Sequence, residues 1–501
     1  MSLLDKPLLV ATALVYLAIV LGIGLWSARR TRTSRDFFIA GQRIGLTVTG
    51  LATMSASVSG FIFVGGPGLT YRLGIASLWI VLPVGFTAAM LCWVVAKPLR
   101  LLAEVREVYT LPDVVRCRFD SPAAAGLAAL AVLVGVIAYL GSQLLALAAV
   151  LQAFGVQRLA WALAVALLVL LVYSVVGGMV AGVYTDVVQG ALMLVSAVAV
   201  FAYALHTAGG FGELTRSISA SPDFGPSFLD PLGGVPIFTV FGFFFVFGIG
   251  VLGQPQMLHK FFMLDDVRKL RFMPIVLGGS QSVCMLIWVG IGLAVPALVA
   301  QSRMSPPARP DLAAPAFLLG HTPEILAGTV FAGILAAVMS TADSFLNIGS
   351  AALVRDLPRA LGRPLRNELS RARQAVPVIA ALAGLLAWLY EDLVALLGTL
   401  AFGTFAAALA PAIAIGLNWR RVTRQAAVAS IAVGLLVTPT LEFLSKQAFI
   451  PWLPRPPLAA GVLPSAFALA LSFATLFLVT WWTTRTGEEP LAEDVERVLE
   501  A

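Results

Sequence analysis

The sequence predicts an all-α polytopic membrane protein of about 13 transmembrane helices around a five-plus-five inverted-repeat core. Three observations predict it. Hydrophobic residues make up 59% of the 501 and charged ones only 12%, more apolar surface than a soluble core can hide. The apolar runs are long and do not alternate with period two, so they read as helices, not as the strands of a barrel. Two of these runs, five spans apart, are interrupted by Gly and Pro at matching places, and a repeat of odd length must invert in the membrane.

Runs near the ~20 residues needed to cross hydrocarbon fall at 8–27, 44–71, 75–96, 123–154, 159–177, 182–206, 236–258, 272–300, 323–354, 375–390, 392–418, 425–444 and 459–482. They are numbered here as spans 1 to 13. The thinnest division is that of 375–418 at Glu391-Asp392, without which the count becomes even. Loop charge checks the count. About three quarters of the 33 Lys and Arg lie on one set of alternate loops, from Arg29, Arg30, Arg32, Arg35 and Arg43 to Arg420, Arg421 and Arg424. That excess places those loops, and the C-terminus, in the cytoplasm of a cell (inner) membrane, with the N-terminus outside. These residues read as solvated topology signals that need no partner, so the net charge of +7 calls for no nucleic acid.

The organisation read from the spans is one transporter domain, 1–486. It comprises a peripheral first helix (8–27), a first repeat (44–206), an inverted second repeat (236–418) and two peripheral helices (425–482). A short acidic, amphipathic tail (487–501) follows. The Pro- and Gly-rich loops 207–235 and 301–322 are expected to carry short helices over an outer vestibule. No cleavage signature precedes the first span. Cys92, Cys117 and Cys284 have no paired spacing and read as fillers or free thiols. His206, His259 and His321 sit near helix ends and read as interfacial side chains.

The interruptions carry the functional argument. Span 2 contains Ser55-Ala56-Ser57-Val58-Ser59-Gly60-Phe61 and then Gly65-Gly66-Pro67-Gly68; span 7 contains Phe247-Gly248-Ile249-Gly250 and then Gly253-Gln254-Pro255. Single glycines in membrane helices serve close packing. Paired clusters at matching places point instead to a transporter's central site, where unwound backbone offers carbonyls to a cation and half-helix ends offer dipoles to a solute.

In span 9, Ala337, Ser340, Thr341 and Ser344 fall at i, i+3, i+4, i+7 and share one helix face, with Asp343 and Asn347 nearby. A lone Ser or Thr there bonds its own backbone; two adjacent hydroxyls facing freed carbonyls suit a hard monovalent cation. Asp186, at the start of span 6, is either a helix-terminal charge favoured by the dipole or a functional intramembrane carboxylate; Asp343 faces the same choice. No deep span contains a basic residue, so an anionic solute group falls to helix ends and amides. Ser57, Gly60, Phe61, Tyr139, Ser142, Gln143, Phe247, Gln254 and Gln256 are the candidate pocket residues. There is no nucleophile–base pair or His-rich motif at depth, so no enzyme is expected.

The motifs together resemble the sodium:solute symporter family, over most of the chain and its proline-like branch most of all. They are Asp36-Phe37-Phe38-Ile39-Ala40-Gly41, the span-2 and span-7 stretches above, Gly177-Gly178-Met179 with Tyr184-Thr185-Asp186-Val187-Val188-Gln189, and Ala337 to Ser344. The resemblance implies Na⁺-coupled import of a small organic solute (an amino acid, organic acid or similar) by alternating access, with Na⁺ as the co-transported ion. Proton coupling, Na⁺-independent transport and a non-transporting sensor are the alternatives. It implies that Ser340 and Thr341 are Na⁺ ligands, that the carbonyls of Ala337, Ser55 and Val58 complete the set, and that Asp186 stands near the ion's cytoplasmic route. The proline branch typically has Asp at Ser57, His at Gln256 and Trp at Phe247.

Overall fold

The computed structural model describes residues 6–28, 43–176, 179–390, 393–445, 458, 461–486 and 491–500. The Asp36–Gly41 motif, Gly177-Gly178, Glu391-Asp392 and the arginines at 29, 30, 32 and 35 lie outside the described residues. Helix occupies every one of the thirteen predicted segments. By length and composition alone, ten described helical runs can cross a membrane, and Pro7–Ile23 and Leu159–Leu171 are shorter apolar helices. The count of about thirteen is reached because the run Phe61–Val105 holds the second half of span 2 and all of span 3. An isolated bridge, Ile44 to Leu264, is the one β-pairing among the described residues.

Span 3 is not one helix. It runs as Gly74–Ile80, Val84–Met90, Leu91–Ala96 and Lys97–Val105, with changes of helical winding between them. Pro83 and Pro98 supply no N–H at two of the joints. Span 8 is likewise divided, Met273–Cys284 and Leu286–Ala300. Spans 10 and 11 are separate helices, Glu368–Tyr390 and Val394–Ala410, with Leu393 extended between them. The two long loops carry short helices, at Gly210–Ala220 and Ala313–His321.

Between membrane helices the hydrophobic drive is weak, so close packing and interhelical hydrogen bonds hold them. Span 11 packs on span 4, where the Phe405 ring fills the space a Cβ on Gly135 would need, 2.3 Å away. Span 6 packs on spans 9 and 2. Spans 12 and 13 are tied by Ser430 and Ser472, whose hydroxyls lie 2.8 Å apart and each reach the other's carbonyl. Span 1 docks through Tyr16, whose hydroxyl accepts from Gln189 Nε2 at 3.0 Å.

The reading of every basic loop residue as solvated is overturned. Arg100, Arg118, Lys260 and Arg355 are all at least 95% buried, and each is bonded. Arg100 Nε donates to the Leu264 carbonyl at 2.8 Å, and Arg118 donates to four carbonyls between Gly416 and Val422. Arg355 bonds Asp113 at 2.6 Å and Asp356 at 2.9 Å, and lies over the Tyr109 ring. The physical reason is burial: at this end the helices press together, and a charge inside protein requires a partner. His259, read as interfacial, is 5% exposed and bonds the Tyr109 carbonyl at 3.0 Å.

Candidate functional site

Span 2 is helical to Ser57, then extends at Val58 (φ −87°, ψ 111°), and resumes as a π-type turn over Phe61–Gly65. Past that break, helical N–H groups no longer reach the preceding carbonyls, which are freed for other partners. Span 9 supplies them. Ser340 Oγ donates to the Ser55 carbonyl at 2.9 Å and stands 3.3 Å from the Ala337 carbonyl. Thr341 Oγ1 stands 3.4 Å from the Ala56 carbonyl. The structure therefore brings Ser55, Ala337, Ser340 and Thr341 together in a fully buried cluster of neutral oxygens. It adds Ala56, which sequence reading missed. Val58 is the extended residue of the break. Ser55 Oγ is buried with no hydrogen-bond partner, as is Ser344 Oγ. A compact set of hydroxyl and carbonyl oxygens suits a hard alkali cation.

Span 7 breaks in its own way. Its helix Ile237–Ile249 tightens over Gly250–Gly253, extends at Gln254 (φ −78°, ψ 106°), and restarts at Pro255. Glycine is required at Gly253, where an added Cβ would stand 2.6 Å from the Phe405 carbonyl and 2.7 Å from the Ala410 nitrogen. Gln254 Nε2 donates to the carbonyls of Gly250 and Phe402, at 3.2 and 3.1 Å, and Gln256 reaches Gln254 Oε1 at 3.4 Å. This glutamine thus satisfies backbone that the break releases.

Gly60, Phe61, Tyr139, Ser142 and Gln143, among the candidate pocket residues, gather at the first break. Gly60 N donates to Gln143 Oε1 at 2.9 Å, and Tyr139 and Ser59 hydroxyls lie 3.3 Å apart. Gln143 also donates to Ser142 Oγ at 3.0 Å. Phe61 stacks on Phe247 with ring centres 5.6 Å apart, Trp288 meets Phe61 edge-on at 5.6 Å, and Phe402 stacks on Phe247 at 4.4 Å. The rings therefore bridge the two broken helices. Ser57 faces span 8, where Gln281 Nε2 donates to its hydroxyl at 2.7 Å. Gln281, Trp288 and Phe402 were not singled out from sequence. Only Gln281 left a signal, as part of the polar run Gly278 to Ser282 inside an apolar span.

Asp186 is no helix-terminal charge. The helix Met179–Thr207 begins two turns before it, and the terminal dipole fades within one. Its Oδ2 accepts from Lys260 Nζ at 2.7 Å, with both side chains 2% exposed. This corrects the reading of Lys260 as a solvated loop cation: it lies at the end of the second half of span 7, six residues beyond Gln254. Asp343 is buried against Gly182, its Oδ2 only 2.7 Å from where a Cβ there would sit. Asp186 Oδ1, Ser344 Oγ and Asn347 Nδ2 are buried without hydrogen-bond partners. They form a polar stretch leading from the oxygen cluster toward the basic end.

Two helices broken at mid-depth, one facing a hydroxyl pair and both joined by aromatic rings, define a secondary transporter of the inverted-repeat class. The family model described as the sodium:solute symporter family matches residues 37–434, and the chain belongs to that family. It is 30% identical to the sodium/proline symporter of Salmonella typhimurium over 86% of this chain and 87% of that one. It is 28% identical to the osmoregulated proline transporter OpuE of Bacillus subtilis, over 84% and 86%. It is 26% identical to the sodium/pantothenate symporter of Escherichia coli, over 87% and 92%. In fold it is similar to a Na⁺-coupled sialic acid symporter, with a TM-score of 0.76 at 19% identity over 97% of this chain and 99% of that one. The protein is a multi-pass Na⁺-coupled symporter of a small solute.

Proposed function

We propose that the transported Na⁺ is held by the carbonyls of Ser55, Val58 and Ala337 and the hydroxyls of Ser340 and Thr341, with the Ala56 carbonyl beside them. The observation that carries this reading is the 2.9 Å approach of Ser340 Oγ to the Ser55 carbonyl at the span-2 break. A hydroxyl that donates to a carbonyl can rotate its O–H away and, keeping its proton, turn an oxygen lone pair to a cation that takes the place of that hydrogen bond. The ion then ties span 9 to the break and stabilises one arrangement of span 2. Ions and solutes shift such an equilibrium only by their different affinities for its states. Asp186 and Asp343 mark the inward route, and Asp186 is already engaged by Lys260, which weighs against it as a free proton carrier.

The solute is a small carboxylate-bearing molecule seated at Ser57, Gly60, Phe61, Tyr139, Gln143, Phe247 and Gln254. Proline, pantothenate and sialic acid, which name the relatives and the structural neighbour, are all carboxylates. Lys260 is committed to Asp186, so the solute's charge is met by the N-terminal ends of the half-helices at Phe61 and Pro255. The excess of basic loops supports a cytoplasmic C-terminus. The test is uptake of labelled proline and other small carboxylates into proteoliposomes under an imposed Na⁺ gradient or an imposed proton gradient. Ser340→Ala with Thr341→Ala should raise the half-saturating Na⁺ concentration about tenfold, the loss of ~1–2 kcal/mol of ligation. An unchanged Na⁺ dependence sinks the assigned ion site.

A further inference from the structure

Beyond the last span, the helix Glu493–Glu500 lies against the basic end of the molecule. Val495 and Val498, one turn apart, are its buried face, 2% and 7% exposed. On either side of that face it projects acids onto arginines. Asp494 accepts two bonds from Arg106, at 2.6 and 2.8 Å, and Glu496 pairs with Arg420 at 2.5 Å. Arg106 ends span 3, in the first repeat, and Arg420 follows span 11, in the second. The helix roofs a cavity of about 230 Å³ lined by Arg106, Cys117, Arg118, Arg420, Arg424 and Val495, among others.

We propose that this acidic helix is a cytoplasmic clasp, which holds the ends of spans 3 and 11 together and restrains the inner half of span 7 from leaving them. Both spans border that inner half. Arg100 of span 3 bonds the Leu264 carbonyl just beyond it, and Phe402 of span 11 accepts from Gln254 at its start. Spans 3 and 11 also touch directly, Asn418 Nδ2 to the Val94 carbonyl at 2.6 Å. Release of solute inward requires the half-helix Pro255–Phe261 to part from these neighbours, so a tie across them opposes release. The clasp is reversible by construction. An eight-residue helix does not hold itself together in water, so it is helical because it is docked. Its ion pairs are from about a third to more than half exposed and are weakened by salt. The inference rests on the cytoplasmic placement of the basic end and on alternating access, not on the assigned ion ligands.

The chain carries its own reporter. Cys117 lines the cavity under the helix and is partly exposed, whereas Cys92 and Cys284 are buried. In the full-length protein, Asp494→Asn with Glu496→Gln should speed maleimide labelling of Cys117 several-fold. It should also speed amide hydrogen exchange over Pro255–Phe261 several-fold. Exchanging the charges of one pair, Arg106→Asp with Asp494→Arg, should bring both readouts back toward the unaltered protein. Neither readout needs a solute, so failure of the Na⁺ site leaves them informative. Unchanged Cys117 labelling in the neutralised variant overturns the docking. Faster labelling with unchanged exchange over Pro255–Phe261 overturns the restraint.

Discussion

Lys260 and Asp186 are a buried pair whose members depend on each other. Removing one charge leaves the other uncompensated in a low-dielectric interior, which costs about 3–5 kcal/mol, whereas removing both is far milder. Lys260→Met should therefore lower the melting midpoint of the purified protein sharply, and Lys260→Met with Asp186→Asn should recover most of it. Equal losses in single and double variants would show that the pair is not the source. Gly60 makes a different demand. An added Cβ would stand 2.6 Å from Ala146 Cβ and 3.0 Å from Val338 Cγ2, so Gly60→Ala should cost about 1–3 kcal/mol by overpacking. Gly279→Ala, with nothing within 4 Å, should be close to neutral in the same melting assay. At this scale sequence reading found the residues whose chemistry is announced locally. Ser340 and Thr341 are adjacent hydroxyls on one helix face, and Gly60 lies in a polar interruption. It missed Lys260 because a lysine at a span end looks the same whether it meets water or a carboxylate 74 positions away. Ala56 was missed for a related reason: a carbonyl's availability depends on where the helix breaks, to within a residue.

The broken helices were legible because Gly and Pro weaken a helix wherever they cluster, and clusters at matching places in an odd repeat are hard to explain by packing alone. The joints within span 3 and the break in span 8 were not legible. There a single proline, or none, does the work, and neighbouring helices decide whether the chain kinks or changes its winding. The span-7 break rests on backbone contact: a Cβ on Gly253 would press on the Phe405 carbonyl and Ala410 nitrogen, atoms that cannot swing aside. Gly253→Ala should accordingly abolish Na⁺-driven uptake, because span 11 must shift to admit the methyl. The C-terminal helix carries a pH dependence whose sign is fixed. The Arg106 guanidinium beside Asp494 holds its carboxyl below the usual carboxylate range. A carboxyl depressed on docking favours the docked state fully above its undocked value, and that contribution is lost as the pH falls through the lower, docked value. Hydrogen exchange over residues 491–500, corrected for its intrinsic pH dependence, should stay protected through the neutral range and lose protection only in acid. The partly exposed setting of the pair makes the effect modest.

For the whole molecule, the proposed Na⁺ and solute sites lie on either side of one element, the span-2 break, and in that reading the break is what couples them. The hydroxyls of Ser340 and Thr341 reach the carbonyls just before the break, while Gly60 and Phe61 just after it face Gln143 and Phe247. A cation that fixes the first part fixes the second, so solute meets a site already formed. Coupling of this kind is reciprocal: whatever factor Na⁺ adds to solute affinity, solute adds to Na⁺ affinity. A ligand at one hundred times its dissociation constant stabilises the folded state by ~2.7 kcal/mol, which a melting scan resolves. Proline, or another carboxylate that is transported, should raise the midpoint of the purified protein far more in Na⁺ than in choline. In Ser340→Ala with Thr341→Ala the direct response to Na⁺ should shrink, and the extra stabilisation by solute should shrink with it, although no solute contact has been touched. A variant that loses its Na⁺ response yet keeps the full solute response would show the two sites to be independent, and the broken helix would not be the link between them.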